Sequence, residues 1–160
     1  MEGRFKYEKL SQYPHLAPKD QELWDRFIEA FPEEYESVDY DVHVGEGAQF
    51  EEGLKTDVYA QDQNYLTLKR IDVCGYRKGG SINCIEVRPR AGSSAIGAVV
   101  VNHALLTERM PGRLCLPLLI TDRCQSDIER CCRLFGIKVL ELGISKIPSP
   151  EISGAKPLKE

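Results

Sequence analysis

Residues Leu114–Asp122 read LCLPLLITD. A short, near-continuous apolar run of this kind belongs to a β-strand covered on both faces. The chain must therefore place apolar elements above and below one sheet. The neighbouring sequence supplies helices for that purpose. From Ala17 the pattern turns helical: Pro18 suits a first turn, acidic residues follow, and Leu23, Trp24, Phe27, Ile28 and Phe31 form an apolar stripe that Pro32 stops. Ser93 or Ser94 is placed to cap a helix that reaches about Glu108 and is apolar on most sides. Ser126 or Asp127 opens a third helix, ended by Gly136.

Strands fall between these helices. Val38, Tyr40, Val42 and Val44 alternate with Asp39, Asp41 and His43, as in a half-buried strand. Lys69–Gly92 (KRIDVCGYRKGGSINCIEVRPRAG) reads as two strands joined by a tight turn, and Ile137–Leu142 as a last strand. The order is helix, three strands, helix, strand, helix, strand. It predicts an α/β fold with one mixed central sheet and helices on both faces.

Length and charge narrow the function. The 160 residues suit one domain. Residues 1–16 are polar with little periodicity and read as an N-terminal tail; 17–143 read as the domain. Residues 144–160, with Pro148, Pro150 and Pro157, read as a C-terminal tail, and 48–64 as a long acidic excursion. A net charge of -4 excludes a nucleic-acid coat but leaves room for local basic patches. No apolar stretch approaches the ~18 residues of a membrane span, and the N-terminal sequence has no apolar core of a signal peptide. These features predict a soluble chain made in the cytoplasm, with no membrane partner. The 6 cysteines form no CxxC pair, which argues against structural zinc, and are expected to be buried free thiols.

The hairpin carries the chemistry. Asp72 sits between Ile71 and Val73, and Glu86 between Ile85 and Val87. Carboxylates are poor strand formers and costly to bury unpaired. A turn centred on Gly79 sets Asp72 opposite or almost opposite Glu86, and a period of two puts Glu86 and Arg88 on one side. Two like charges so close are tolerable if a divalent cation lies between them or if one is protonated. Oxygen ligands of this kind suit Mg²⁺ or Mn²⁺. Alternatively, both acids pair with Arg70, Arg88 or Arg90 in a salt-bridge network. The residues leave these two readings open. The histidines add no nucleophilic pattern: His15 falls in the N-terminal tail, His43 on the polar side of a strand, and His103 on the helix after the hairpin. Asp122 and Arg123 end a strand, where ligands of α/β sheets often bind, although helix capping suits Asp122 better.

With its element order, the hairpin resembles the PD-(D/E)xK (restriction-endonuclease-like) nuclease superfamily, and within it the small versions encoded by tailed bacteriophages. Asp72 matches the motif Asp, and Glu86-Val87-Arg88 occupies the E-x-K position. The resemblance covers about Ala17 to Leu142. It implies Asp72 and Glu86 as metal ligands and catalytic residues, Mg²⁺ or Mn²⁺ as cofactor, and DNA as substrate. It implies that Arg88 holds a phosphate or the scissile water, and that Arg70 and Arg90 meet substrate phosphates. A first-helix acid assists the metal in some members; Glu29 is the nearest candidate read from the sequence. The chain departs from the family pattern at Arg88, which replaces a lysine and cannot act as a base. It also has Ala98 and Asn102 where many members have Gln and Tyr.

Two functions follow. One is a metal-dependent DNA endonuclease. The other is a nuclease-fold protein with a degenerate site that serves in the neck or tail of a bacteriophage virion, binding other virion subunits through its tails. Its localisation would then be host cytoplasm followed by virion. The missing lysine and glutamine and the negative net charge favour the second.

Overall fold

The computed structural model describes residues 2–47 and 66–143. The acidic excursion and the C-terminal tail expected from the sequence lie outside the described residues. The elements are β1 (Phe5–Lys6), α1 (Pro18–Ala30), β2 (Ser37–Val44), β3 (Lys69–Tyr76), β4 (Ile82–Val87), β5 (Arg90–Ala91), α2 (Ser93–Arg109), β6 (Cys115–Thr121), β7 (Arg123–Cys124), α3 (Ser126–Leu134) and β8 (Lys138–Glu141). The main sheet is mixed and six-stranded, in the order β1-β2-β3-β4-β6-β8. Its first three pairings are antiparallel, and β4-β6 and β6-β8 are parallel. β5 and β7 form a separate parallel ribbon.

The apolar run at Leu114–Asp122 becomes β6, buried on both sides as its composition requires. Leu118 and Ile120 pack with α1, whereas Leu119 packs with Ala95, Ile96 and Val99 of α2. β4 alternates in the same way. Ile85 and Val87 join the α1 cluster, and Ile82 and Cys84 join a second cluster containing Leu106 of α2. Successive strand residues point to opposite faces, so α1 and α2 cover opposite sides of the sheet. Leu23, Trp24, Phe27 and Ile28 are the buried face of α1, as its stripe predicts. Phe31 ends the helix and stays partly exposed. The α2 start differs from expectation. Gly92 is its N-cap, with no side-chain capping bond from either serine.

Residues 2–16 are not a tail. β1 pairs with the edge of β2, and Tyr7, Tyr13 and Leu16 are buried in the same cluster as Trp24. The Tyr13 ring stands edge-on to Tyr40, with centroids 5.3 Å apart. Its hydroxyl donates to the Asp25 carboxylate and accepts from the Leu10 amide. Tyr7 donates to the Phe31 carbonyl at 2.8 Å. These apolar residues follow no helix or strand period, so periodicity alone misses them; the aromatic density of Phe5, Tyr7 and Tyr13 is the signal that marks them. The domain boundary therefore moves from Ala17 to the first described residues. The aromatic side chains of this segment are committed to this chain's own core.

All six cysteines are free, and Cys74, Cys84, Cys115 and Cys132 are buried. Burial pushes the Cys74 thiol up to about 12, which keeps it protonated and unreactive. Among the described residues no helix is long and apolar enough to cross a membrane.

If residues 2–16 belong to the core, Tyr13→Ala should destabilise the fold by about 3 kcal/mol, the usual cost of emptying a buried aromatic site. Urea unfolding followed by Trp24 fluorescence measures this. A change within a few tenths of a kcal/mol would mean that the segment is only loosely attached.

Candidate active site

The hairpin register is the one that a turn centred on Gly79 predicts. Val73 pairs with Ile85, Cys74 with Cys84, Gly75 with Asn83 and Tyr76 with Ile82. The turn closes with the Arg77 amide donating to the Ser81 carbonyl at 3.0 Å, and Gly79 and Gly80 both take positive φ. Asp72 and Glu86 are the next positions along this register, one step beyond the last pair.

The two strands part at that step. Hydrogen-bonded pairs alternate along an antiparallel ladder, so the Val87 amide would next meet the Ile71 carbonyl. Instead it donates to Oδ2 of Asp72 at 2.9 Å. β4 continues alone against β6, with Val87 beside Ile120 and the Arg88 amide bonded to the Ile120 carbonyl. The β2-β3 pair bends at the same level. Its ladder pairs Tyr40 with Val73 and Val42 with Ile71 but skips Asp41 and Asp72. Asp41 has φ 54°, a left-handed conformation that aspartate tolerates better than most residues. Below the bend Val38 and Tyr40 pack with α1; beyond it Val42, Val44 and Ile71 pack on the α2 side. The strict alternation read from Val38 to Val44 thus switches faces at Asp41. Beyond the bend, Asn102 of α2 donates to the Arg70 carbonyl at 2.8 Å.

The parting strands leave acids in a half-dry notch. Glu86 is 3% exposed. Arg88 Nη2 lies 2.7 Å from Glu86 Oε1 and its Nη1 lies 3.6 Å from Asp20 Oδ2. The close Arg88–Glu86 contact is an ion pair without a directed hydrogen bond, and Oε1 is a buried oxygen with no hydrogen-bond donor among the described residues. Burial, followed by the neighbouring Asp72 charge, pushes Glu86 up to about 8, against the pull of Arg88. Burial also raises Asp72, opposed by the Val87 amide and Arg88. Asp20 is raised by burial and held down by Arg88. The notch therefore favours the uncharged form of its acids, Glu86 most strongly. That is the second way in which two close carboxylates can coexist.

The predicted site residues divide. Asp72, Glu86 and Arg88 are brought together. Arg70 points its guanidinium at Asp41 in a bidentate pair, both contacts 2.7 Å, which lowers the Asp41 carboxyl. Arg90 lies beyond Pro89 on β5, exposed. Glu29 is exposed and pairs with Lys9, away from the notch. The first-helix acid that reaches the notch is Asp20. In the sequence it looks like an ordinary first-turn acid favouring the helix dipole; its distinguishing signal is its place one turn before the buried stripe. His15, read as a tail residue, lies near enough to Asp41 and Asp72 to favour their charged forms, the smaller influences there. His103 turns to the Cys115 carbonyl, 3.0 Å away. Asp122 caps nothing on α3; its carboxylate holds Arg26.

The donors fit a hard divalent cation only in part. Asp72 and Glu86 offer carboxylate oxygens, one of them without a hydrogen bond, as such an ion would use. Against this, among the described residues no three His, Cys, Asp or Glu side chains are grouped as a metal site, and Arg88 already brings a positive charge to Glu86.

No protein-family model matches the chain, and no curated protein matches it. Among solved structures, a repair endonuclease from Pyrococcus abyssi is similar with a TM-score of 0.47 and 15% sequence identity, over 83% of this chain and 50% of that chain. The chain thus spans half the length of that protein. A likeness of this degree leaves the chain's own residues to carry every argument about the site.

The raised Glu86 has a measurable consequence. Below its ordinary value of 4.5 both the folded and unfolded forms are protonated. Between 4.5 and about 8 the folded chain keeps a proton that the unfolded chain releases, so stability falls as pH rises through that window. One such proton gives a slope of up to about 1.4 kcal/mol per pH unit. In metal-free protein, urea midpoints should decline across this window, and Glu86→Gln should flatten the decline. An unchanged slope in Glu86→Gln would show that Glu86 ionises normally.

Proposed function

We propose that this chain is a nuclease-like protein that binds Mg²⁺ or Mn²⁺ between Asp72 and Glu86 and hydrolyses phosphodiester bonds in DNA slowly. The observation that carries this reading is the notch itself. The ladder is broken where Asp72 takes the Val87 amide, and the neighbouring Glu86 is buried with a carboxylate oxygen that has no hydrogen-bond donor among the described residues. Sites that weaken the fold in this way are usually retained for chemistry. A bound divalent ion would polarise a phosphate oxygen and lower the pKa of a water. Around it, Asp72 is held in place by the Val87 amide, and Glu86 must release its proton to become a ligand. Arg88 bridges towards Asp20 and can hold a phosphate oxygen, but it cannot remove a proton from water. General-base help is typically worth ~10²–10⁴ in rate, and its loss accounts for slow turnover.

A second reading keeps the fold and drops the chemistry: a structural component of a bacteriophage virion at the neck or tail. Arg88 supports it. Lying against both Glu86 and Asp20, its guanidinium supplies within the chain the positive charge that a metal would bring.

Plasmid nicking separates the two. With Mg²⁺ or Mn²⁺ the unaltered protein should cut slowly, Asp72→Ala should not cut, and Arg88→Lys should cut faster by about tenfold or more. No cleavage by either the unaltered protein or Arg88→Lys would favour the structural role.

A further inference from the structure

Past Arg88 the sheet ends and a second structure begins. β5 and β7 pair in parallel, with Arg90 opposite Arg123 and Ala91 opposite Cys124. Residues paired across neighbouring strands project to the same side, and like charges there destabilise the pair. Both arginines are exposed. Among the described residues neither has an acidic partner, whereas Arg4, Arg26, Arg70, Arg77, Arg88 and Arg113 each do. Two unpaired guanidiniums are thus set side by side by backbone pairing.

They line one cavity of about 540 Å³ together with Lys19, Arg26, Glu22 and Asp122. Four cations against two acids give this wall a charge of +2, in a chain whose net charge is -4. Arg26 is already taken up by Asp122 and the Gly143 carbonyl. Lys19, Arg90 and Arg123 remain to face an incoming ligand, with Glu22 as the one opposing charge. The cavity adjoins the acid notch through the chain: Lys19 precedes Asp20, and Arg90 follows Arg88 by two residues. Both ribbon strands also run straight into helices, α2 through Gly92 and α3 through Gln125, and neither helix start has a side-chain cap.

We propose that Arg90 and Arg123, aided by Lys19, form a clamp for the phosphates of a nucleic-acid backbone beside the Asp72–Glu86 notch. Guanidiniums suit this task because their planar donors match phosphate oxygens in pairs. The clamp rests on the phosphodiester reading above and extends it to Arg123, a strand-end residue outside the E-x-K motif. An anionic backbone removes the repulsion between the two arginines. It also explains how an acidic protein brings a polyanion to a carboxylate site.

The test is binding without metal, so that it does not depend on catalysis. A fluorescent DNA duplex of about 20 base pairs is titrated in EDTA at several salt concentrations. Each neutralised phosphate contact contributes about 0.9 to the slope of log affinity against log salt. Arg90→Gln and Arg123→Gln should each weaken binding about three- to tenfold and lower that slope by about 0.9. Lys78→Gln, in the hairpin turn at the other end of β4, should leave both unchanged. Circular dichroism checks that the exposed substitutions leave the fold intact. Arginine variants that behave like Lys78→Gln, or an unaltered protein that does not bind at low salt, would overturn the clamp. Arginine-dependent binding without metal-dependent cleavage would overturn hydrolysis and leave the clamp standing.

Discussion

At Asp72 the antiparallel ladder between β3 and β4 gives way, and the Val87 amide bonds a carboxylate instead of a carbonyl. The rest of the site depends on that exchange. A buried amide must find an acceptor, and the Asp72 side chain supplies one from within the strand that would otherwise have continued the ladder. β3 is then free to bend with β2 towards α2, while β4 runs on beside β6. The space between the parting strands holds Glu86 and opens towards Asp20 at the start of α1. The neighbouring strand bends at Asp41, where Arg70 grips the carboxylate from both sides. Close contacts fix the hairpin below the bend: Gly75 lies so near the Tyr35 ring that an added Cβ would stand 2.5 Å from it. The splay is therefore set in a rigid frame.

Charge in the notch is arranged at odds with stability. Three carboxylates approach one guanidinium, and burial disfavours ionisation of each acid. A structural ion-pair network would be expected to balance its charges and direct its hydrogen bonds. Here Glu86 keeps a buried oxygen with no directed donor. A divalent cation would remove the imbalance by displacing the proton from Glu86. Arg88 removes part of it already, which is why the same residue supports slow chemistry in one reading and none in the other. Arg88 is 42% exposed on its side chain, so it can swing to a phosphate without leaving a buried void.

The sequence made some of this legible because the causes are local. The hairpin register followed from the glycine turn, since turn geometry sets strand pairing within a few residues. The α1 stripe and the doubly covered β6 followed from apolar periodicity, and the central sheet proved mixed as the element order implied. What escaped depends on contacts between distant parts of the chain. Tyr7 and Tyr13 pack on α1 without any period, so residues 2–16 read as a tail. The bend at Asp41 is invisible in an alternating pattern because a left-handed residue switches faces without adding a residue. Asp20 and Glu29 sit on one helix with similar local settings; only the tertiary position of Arg88 selects Asp20. Arg123 shows in the sequence only as a strand-end residue; its pairing with Arg90 depends on the tertiary fold.

A cation site at the Asp72–Glu86 notch would bind metal whether or not the chain cuts DNA. Titration of Mn²⁺, with the free ion followed by electron paramagnetic resonance, addresses it without any substrate. One saturable Mn²⁺ per chain is expected, bound more tightly above pH 8 than below it as Glu86 gives up its proton, with the site lost in Glu86→Gln. No saturable binding at any pH, or a Glu86→Gln variant that binds Mn²⁺ as the unaltered protein does, would contradict it.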